Sequence, residues 1–334
     1  MIAHWFFPPQ HQKITMRRET FIKSLLVTLA APTLLSTGCA SVDLKMMIPA
    51  NPGGGWDGTG YALGKALQEA GVAASVSYEN KGGAAGTLGL AQFVNGRKGD
   101  ANAMMMMGAA MLGGIIISKP PVTLSQATPL ARLIIDYNVF VLPAASPLKT
   151  MKDVVEKMKR DPGSVKWGGG LRGSTEHIAA AMLASKVGVD AAKINYVPFR
   201  GGEEAVAAIL GNNITVCGGS LGDFEAHIRS GKMRVIAVTS EARLRGVDVP
   251  TLKEQGFDVV IGNWRGVYGA PGITPEQRKA LTEMIVKATK TNWWAAYVER
   301  NGWLPALMLG AEFEKFVDDE FASLRATMAK AGMI

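Results

Sequence analysis

A strand, a glycine-rich loop and a helix follow one another once in each half of this chain, and that repeated device leaves few folds open. In the first half an apolar run at 44–48 gives way to Pro52-Gly53-Gly54-Gly55-Trp56-Asp57. A helix over 56–69 follows, with Tyr61, Leu63, Ala66, Leu67 and Ala70 at helical spacing. In the second half a strand at 165–167 runs into Gly168-Gly169-Gly170-Leu171-Arg172-Gly173-Ser174 and a helix over 175–187. Apolar strands joined to helices by short glycine-rich links call for a mainly parallel sheet covered on both faces. Met104, Met105, Met106 and Met107 suit such a strand, and core packing outweighs metal or haem ligation for them.

The rest of the chain continues the alternation. Strands are expected at 75–79, 103–107, 195–198, 214–217, 235–239 and 264–269, and 130–142 is a long apolar stretch. Helices are expected at 87–94, 152–160, 203–210, 224–228, 275–292 and 311–331. The chain is read as making one α/β lobe, crossing to a second near Asp136 and returning near Gly262. Residues 41–136 with 263–334 then form lobe 1, and 137–262 form lobe 2.

The first 40 residues read as a leader, with the signal peptide proper at about 16–40. Met16-Arg17-Arg18 and Lys23 make a positive start, and the apolar run 25–35 is too short to span a bilayer comfortably. Met1 and Met16 are both candidate starts. Arg17-Arg18 with Phe21, Ile22 and Lys23 is similar to a twin-arginine signal, with one extra residue between the arginines and Phe21. Cleavage before Cys39 would give an acylated lipoprotein, and cleavage after Ala40 a free periplasmic protein. The remaining chain of about 295 residues is long enough for two compact domains. Cys217 is then alone, so it forms neither an internal disulfide nor a thiolate metal site, and a small buried residue is its expected role. The net charge of +8 is spread among acidic residues without a basic stripe, which argues against nucleic acid and suits an anionic solute.

The two loops are where an anion would bind. Glycines remove the Cβ atoms that keep a ligand from the backbone, and a helix start offers unpaired N–H groups with a favourable dipole. Trp56-Asp57 after the last glycine excludes a Walker loop, and the glycine spacing does not fit a dinucleotide fingerprint. Asp57 has a helix cap as its alternative role. Ser174 and Thr175 are each candidates to cap the second helix, and His177 is a packing and capping residue rather than a base. Arg172 and Arg200, each following a strand, are candidates to grip a carboxylate from one wall.

Pro52-Gly53-Gly54-Gly55-x-Asp57, Glu79-Asn80-Lys81-Gly82-Gly83-Ala84-Ala85-Gly86, Gly173-Ser174-x-x-His177, Pro198-Phe199-Arg200-Gly201-Gly202 and Val249-Pro250-Thr251-Leu252 together resemble the receptors of tripartite tricarboxylate transporters, the TctC or Bug family, along essentially the whole mature chain. Gly55-Trp56-Asp57-x-Thr59 and Asn102-Ala103-Met104-Met105 look closer to the tricarboxylate-named branch than to its amino-acid-binding relatives. The resemblance implies an α/β, two-lobed periplasmic-binding-protein fold of type II, a Venus flytrap, holding a ligand carboxylate between loops of both lobes. Carried over by position, the first-lobe site is Pro52, Gly53, Gly54, Gly55, Trp56 and Asp57 with Gly83, Ala84, Gly86 and Thr87. The second-lobe site is Gly170, Leu171, Arg172, Gly173 and Ser174 with Arg200, Gly201 and Ser220. Phe199-Arg200 stands where many relatives have Tyr-Lys, and Leu171-Arg172 replaces smaller residues.

The function so implied is a periplasmic receptor that binds a small di- or tricarboxylate, citrate-like, and delivers it to a membrane permease as a monomer, with no cofactor, metal or catalysis. A second reading makes it the sensing partner of a membrane kinase. A third is an exported enzyme on the same scaffold, using His177, Asp57 or Cys217. No nucleophile elbow and no His or Cys pair at ligand spacing supports the enzyme.

Overall fold

A computed structural model describes residues 42–244 and 247–334. The leader, with its two cleavage positions, lies outside them. The chain begins β1 (Val42–Ile48), α1 (Gly55–Glu69), β2 (Ala73–Asn80), α2 (Thr87–Gly96), β3 (Ala103–Gly108), α3 (Ala109–Ser118) and the long β4 (Thr128–Pro143). It continues α4 (Met151–Arg160), β5 (Lys166–Gly169), α5 (Thr175–Lys186), β6 (Asn195–Pro198), α6 (Gly202–Leu210), β7 (Val216–Ser220), α7 (Leu221–Arg229) and β8 (Met233–Val238). It closes with β9 (Gly262–Gly269), α8 (Pro275–Ala288), α9 (Asn292–Arg300), β10 (Leu304–Leu309) and α10 (Gly310–Lys330).

One strand organises everything. The 16 residues of β4 are mostly apolar and span about 50 Å, enough to serve two sheets. Its first part pairs antiparallel with β9 and β10, ending with Tyr137 opposite Gly262. Its second part pairs antiparallel with β7 and β8, starting with Asn138 opposite Ser220. Beyond this shared strand each sheet has a parallel portion, β2-β1-β3 in one and β7-β5-β6 in the other. The parallel portions are the strand–loop–helix units visible in the sequence. The antiparallel strands are those that join the halves.

The methionine strand behaves as its composition demands. Met104 and Met106 point into one buried cluster with Leu63, Leu67 and Ile285, while Met105 and Met107 point into another with Phe93 and Leu112. Alternate side chains leave opposite faces of a strand, so only a sheet covered on both sides buries all four. Each such burial contributes roughly 1.5–3 kcal/mol. The second cluster runs on to Trp167 and Ile178 of the other half. Phe313, Val317, Leu324 and Met328 of α10 belong to it too, so the C-terminal helix packs against α3 and α5 together.

Three elements depart from expectation. The helix over 275–292 is two, because Thr291 starts α9 by accepting the Trp294 N–H at 3.2 Å. The strand β10 contains Pro305 and is half exposed, which suits an edge. Helix α3 is built from Gly113, Gly114 and three isoleucines, residues of poor helix propensity, and tertiary packing overrides that preference. A Cβ on Gly113 would collide with the Gly173 carbonyl, and one on Gly114 would stand 2.5 Å from the Ala85 methyl. The two glycines therefore let α3 lie against a loop of each half.

Candidate ligand cleft

A cavity of about 550 Å³ opens where the loops of the two sheets face each other. Helix starts dominate its wall. Gly54, Gly55 and Trp56 open α1; Gly86 precedes α2; Ala110 lies in the first turn of α3; Ser174, Thr175 and Glu176 open α5; Gly201 and Gly202 open α6; Ser220 precedes α7. None of these six helices has a side-chain cap; away from the cavity α4, α8 and α9 are capped by Thr150, Thr274 and Thr291, and α10, with Leu309 at its cap position, is not. The first N–H groups of a helix have no partner within it and carry the positive end of its dipole. Several such ends around one space suit an anion.

The segment Gly82-Gly83-Ala84-Ala85-Gly86 adds a strained wall. Ala84, Ala85 and Gly86 have φ of 46°, 53° and 91°, a left-handed turn that costs an alanine about 1–3 kcal/mol. The Gly86 N–H donates to the Gly83 carbonyl (2.9 Å) and the Thr87 hydroxyl to the Ala84 carbonyl (2.9 Å), which holds the turn.

Arg265, on β9, is the buried cation of the cavity wall. One guanidinium nitrogen meets Asp136 of β4 at 2.6 Å, and both side chains are only 3% exposed. The other donates to the Gly55 carbonyl (3.1 Å) and the Thr59 hydroxyl (3.0 Å), and the group lies 4.7 Å from the centre of the Trp303 ring. Gly55 is required here, because a Cβ would stand 2.5 Å from the guanidinium. Burial pushes the Asp136 carboxyl up, against the pull of Arg265 and of the Ser220 hydroxyl that donates to it. Burial likewise raises Glu176, and desolvation within the cleft with nearby Asp136 pushes Asp223, an exposed residue, up to about 6. Both of these carboxyls line the cavity.

The expected site residues divide. Gly54, Gly55, Trp56, Gly83, Ala84 and Gly86 form part of one wall, and Gly170, Leu171, Ser174, Arg200, Gly201 and Ser220 part of the other. Pro52, Gly53, Asp57, Thr87, Arg172 and Gly173 do not line the cavity. Asp57 accepts from the Gly53 N–H (2.9 Å) and the Asn80 amide (2.7 Å), so it fastens the loop from behind. Thr87 is taken up by its bond to Ala84 and Gly173 packs on Gly113; Arg172 and Arg200 are both exposed, and of the two Arg200 lines the cavity.

Ser174 holds the cap position of α5, but its hydroxyl meets Tyr196 (3.3 Å), while the Thr175 hydroxyl accepts from Asn138 (2.8 Å). His177 accepts the Gly173 N–H (3.1 Å) and stacks on Tyr196, and burial with nearby Arg172 holds its pKa down to about 4. Cys217 is buried with its thiol pushed up by that burial.

Sequence reasoning missed Asn51, Glu176, Asp223, Asn263 and Arg265. An arginine inside the apolar run of β9 is a signal for the last of these. Acidic residues in the first turns of α5 and α7 read equally well as ordinary partners of the helix dipole. Among the described residues no group of three His, Cys, Asp or Glu side chains is placed to hold a metal ion.

Two α/β halves sharing one long strand, with a cavity ringed by open helix starts between them, define a two-lobed solute-binding protein. The chain belongs to the tripartite tricarboxylate transporter family of receptors, TctC, whose family model matches residues 65–333. BugT of Bordetella pertussis is 24% identical over 309 residues, 91% of this chain and 93% of its own. A protein from the gbd 5' region of Cupriavidus necator is 27% identical over 197 residues, 58% of each chain. Among solved structures, the periplasmic binding protein BugD superposes with a TM-score of 0.78 at 21% identity, over 87% of this chain and 98% of its own. A TctC solute-binding protein from Polaromonas, solved without ligand, gives 0.65 at 28% identity, over 87% and 99%. MatC from Rhodopseudomonas palustris, solved with bound malate, gives 0.74 at 18% identity, over 85% and 98%.

Proposed function

We propose that this receptor binds a small di- or tricarboxylate, citrate-like in size, in the cleft and delivers it to a membrane permease from the periplasm after loss of its leader. The observation that carries this reading is the set of six helix starts without side-chain caps around one cavity. A carboxylate supplies the acceptors that those N–H groups lack. Arg200 at the rim adds a donor for a second carboxylate. The malate held by MatC, a protein alike in fold, is an acid of this class.

Lobe 1 is taken as residues 41–136 with 263–334 and lobe 2 as 137–262, the hinge lying where β4 passes from one sheet to the other. Preferential affinity for the closed form then drives closure, and the closed surface is what the permease reads. Calorimetry and thermal shift on the processed protein against citrate, tricarballylate, succinate, glutarate, aromatic acids and amino acids test the ligand class. A bound acid stabilises by about 2.7 kcal/mol at a hundredfold excess over its Kd. Stabilisation by uncharged sugars or cations alone refutes the carboxylate reading.

A further inference from the structure

Glu176 is a buried acid in the cavity wall, and among the described residues no cation pairs with it. It stands in the first turn of α5 and is 9% exposed. Gly169 of β5 and Gly218 of β7 make room for it, since a Cβ on either would stand 3.0 Å from its own. Its Oε2 lies 3.3 Å from where a Cβ on Gly170, a wall residue, would stand, and has no hydrogen-bond partner. The charged groups acting on it are Asp223 of α7 and Asp136 of β4, and both disfavour a negative charge there. Tyr196 of β6 and Cys217 of β7 face it too, each held neutral by burial, as is His177 beside it on α5. The Ser174 hydroxyl favours the charged form, but burial outweighs it. Arg265 is engaged by Asp136, and Arg172 and Arg200 are exposed.

We propose that Glu176 carries its proton in the occupied cleft and donates it in a hydrogen bond to a carboxylate oxygen of the solute, so that this residue selects for an ionised acid by being itself neutral. This rests on the carboxylate reading and deepens it. An ionised carboxylate offers acceptors alone, and so does an ionised Glu176, so the two in contact repel each other. A neutral carboxyl turns the same contact into an O–H···O⁻ bond, the short, charge-assisted kind. Apolar surroundings can keep an acid neutral at working pH so that it donates in this way. The buried oxygen without a partner then gains one on binding, which removes the cost of leaving it unmade. Wherever Glu176 is ionised in the empty protein, binding moves one proton from solvent onto this carboxyl.

Infrared difference spectroscopy and calorimetry on the processed protein test this, with succinate, glutarate, tricarballylate and citrate as probes at pH 7.5, where an ordinary carboxyl is ionised. The complex should show a carboxylic acid C=O stretch that is missing from the Glu176→Gln complex. Glu176→Leu, which has no donor, should weaken the bound acid about tenfold or more, the worth of one charge-assisted hydrogen bond. Glu176→Gln, whose amide donates, should recover most of that loss. Thermal unfolding checks that both variants fold, and the infrared band decides alone where Glu176→Leu does not. A parent complex without the band, a leucine variant that binds as tightly as the parent, or a glutamine variant that binds about tenfold tighter than the parent overturns the proposal and leaves the carboxylate reading intact. Failure of all four acids to bind sinks both.

Discussion

Replacing Arg265 by Met puts the central ion pair to the test. The side chain is 3% exposed and holds Asp136 at 2.6 Å, the Gly55 carbonyl at 3.1 Å and the Thr59 hydroxyl at 3.0 Å. Methionine fills part of the volume beside Trp303 but leaves Asp136 charged and buried, with the Ser220 hydroxyl and the Tyr137 N–H as its partners. Breaking a buried pair this way costs about 3–5 kcal/mol. In a chain of this size that is a fall in Tm of roughly 6–15 °C. Because the penalty belongs to the stranded charge, Asp136→Asn in the Arg265→Met background should recover more than half of it. The deficit of the single variant should also shrink on acidification, since a carboxyl whose folded pKa is raised loses stability as pH rises and regains it as pH falls. Denaturant unfolding at pH 8 and pH 5 on the parent and both variants gives the six numbers required. A loss below about 1 kcal/mol for Arg265→Met, or a double variant no more stable than the single, refutes the idea that this pair secures the junction.

Two groups at the cleft should oppose each other in the pH profile of stability. His177, held down to about 4, makes the fold lose stability as pH falls below 6.5, and Asp223, pushed up to about 6, makes it lose stability as pH rises from 4 to 6. The His177 shift is worth about 3 kcal/mol, whereas Asp223 is exposed on the cavity wall and screened by solvent, so it offsets only part of this in the parent protein. Difference profiles separate them: thermal unfolding should show His177→Gln gaining on the parent as pH drops from 7 to 4, and Asp223→Asn gaining as pH climbs from 4 to 7. Flat differences would mean that neither group titrates between those limits. Gly113→Ala drives a methyl into the Gly173 carbonyl, backbone against backbone, and should cost about 1–3 kcal/mol or more. Gly96→Ala, at the end of α2 with open space around its Cβ position, should instead gain up to about 1 kcal/mol, and equal Tm shifts for the two would sink the steric account.

What was legible in the sequence is what local chemistry decides. The loops at 52–57, 82–86 and 168–174 announce themselves because glycine before a helix has few other uses, and most of the residues they contribute line the cavity. The methionine strand was legible because four adjacent apolar residues need two covered faces. Arg172 and Arg200 looked alike in sequence, each a loop arginine after a strand; both are exposed, and only the course of the backbone brings Arg200 to the cavity wall. Helix α3 and the partners of Arg265 could not be read for the same reason. Gly113 answers to Gly173, Gly114 to Ala85, and Arg265 to Gly55, each far off along the chain. Glu176 and Asp223 were hidden by a plausible local role: burial distinguishes Glu176 from an ordinary first-turn acid, whereas Asp223 is exposed and only its place on the cavity wall does so.

The distribution of caps makes the cleft intelligible as a place where stability has been withheld. A good cap is worth about 1 kcal/mol, and of the four α-helices that start away from the cavity this chain caps three, α4, α8 and α9, with threonine, leaving α10 bare. It leaves six helix starts bare around one cavity and adds two left-handed alanines there, so several kcal/mol of local stability are missing from a single region. A guest whose oxygens satisfy the bare N–H groups returns part of that deficit. The same donors are distributed over both halves of β4, so a guest that satisfies all of them at once must hold the two sheets in one relative position. Had serine or threonine side chains capped these helices, the fold would be more stable when empty and would respond less to its ligand. On the proposed function, the bare starts would couple occupancy of the cleft to the arrangement of the lobes.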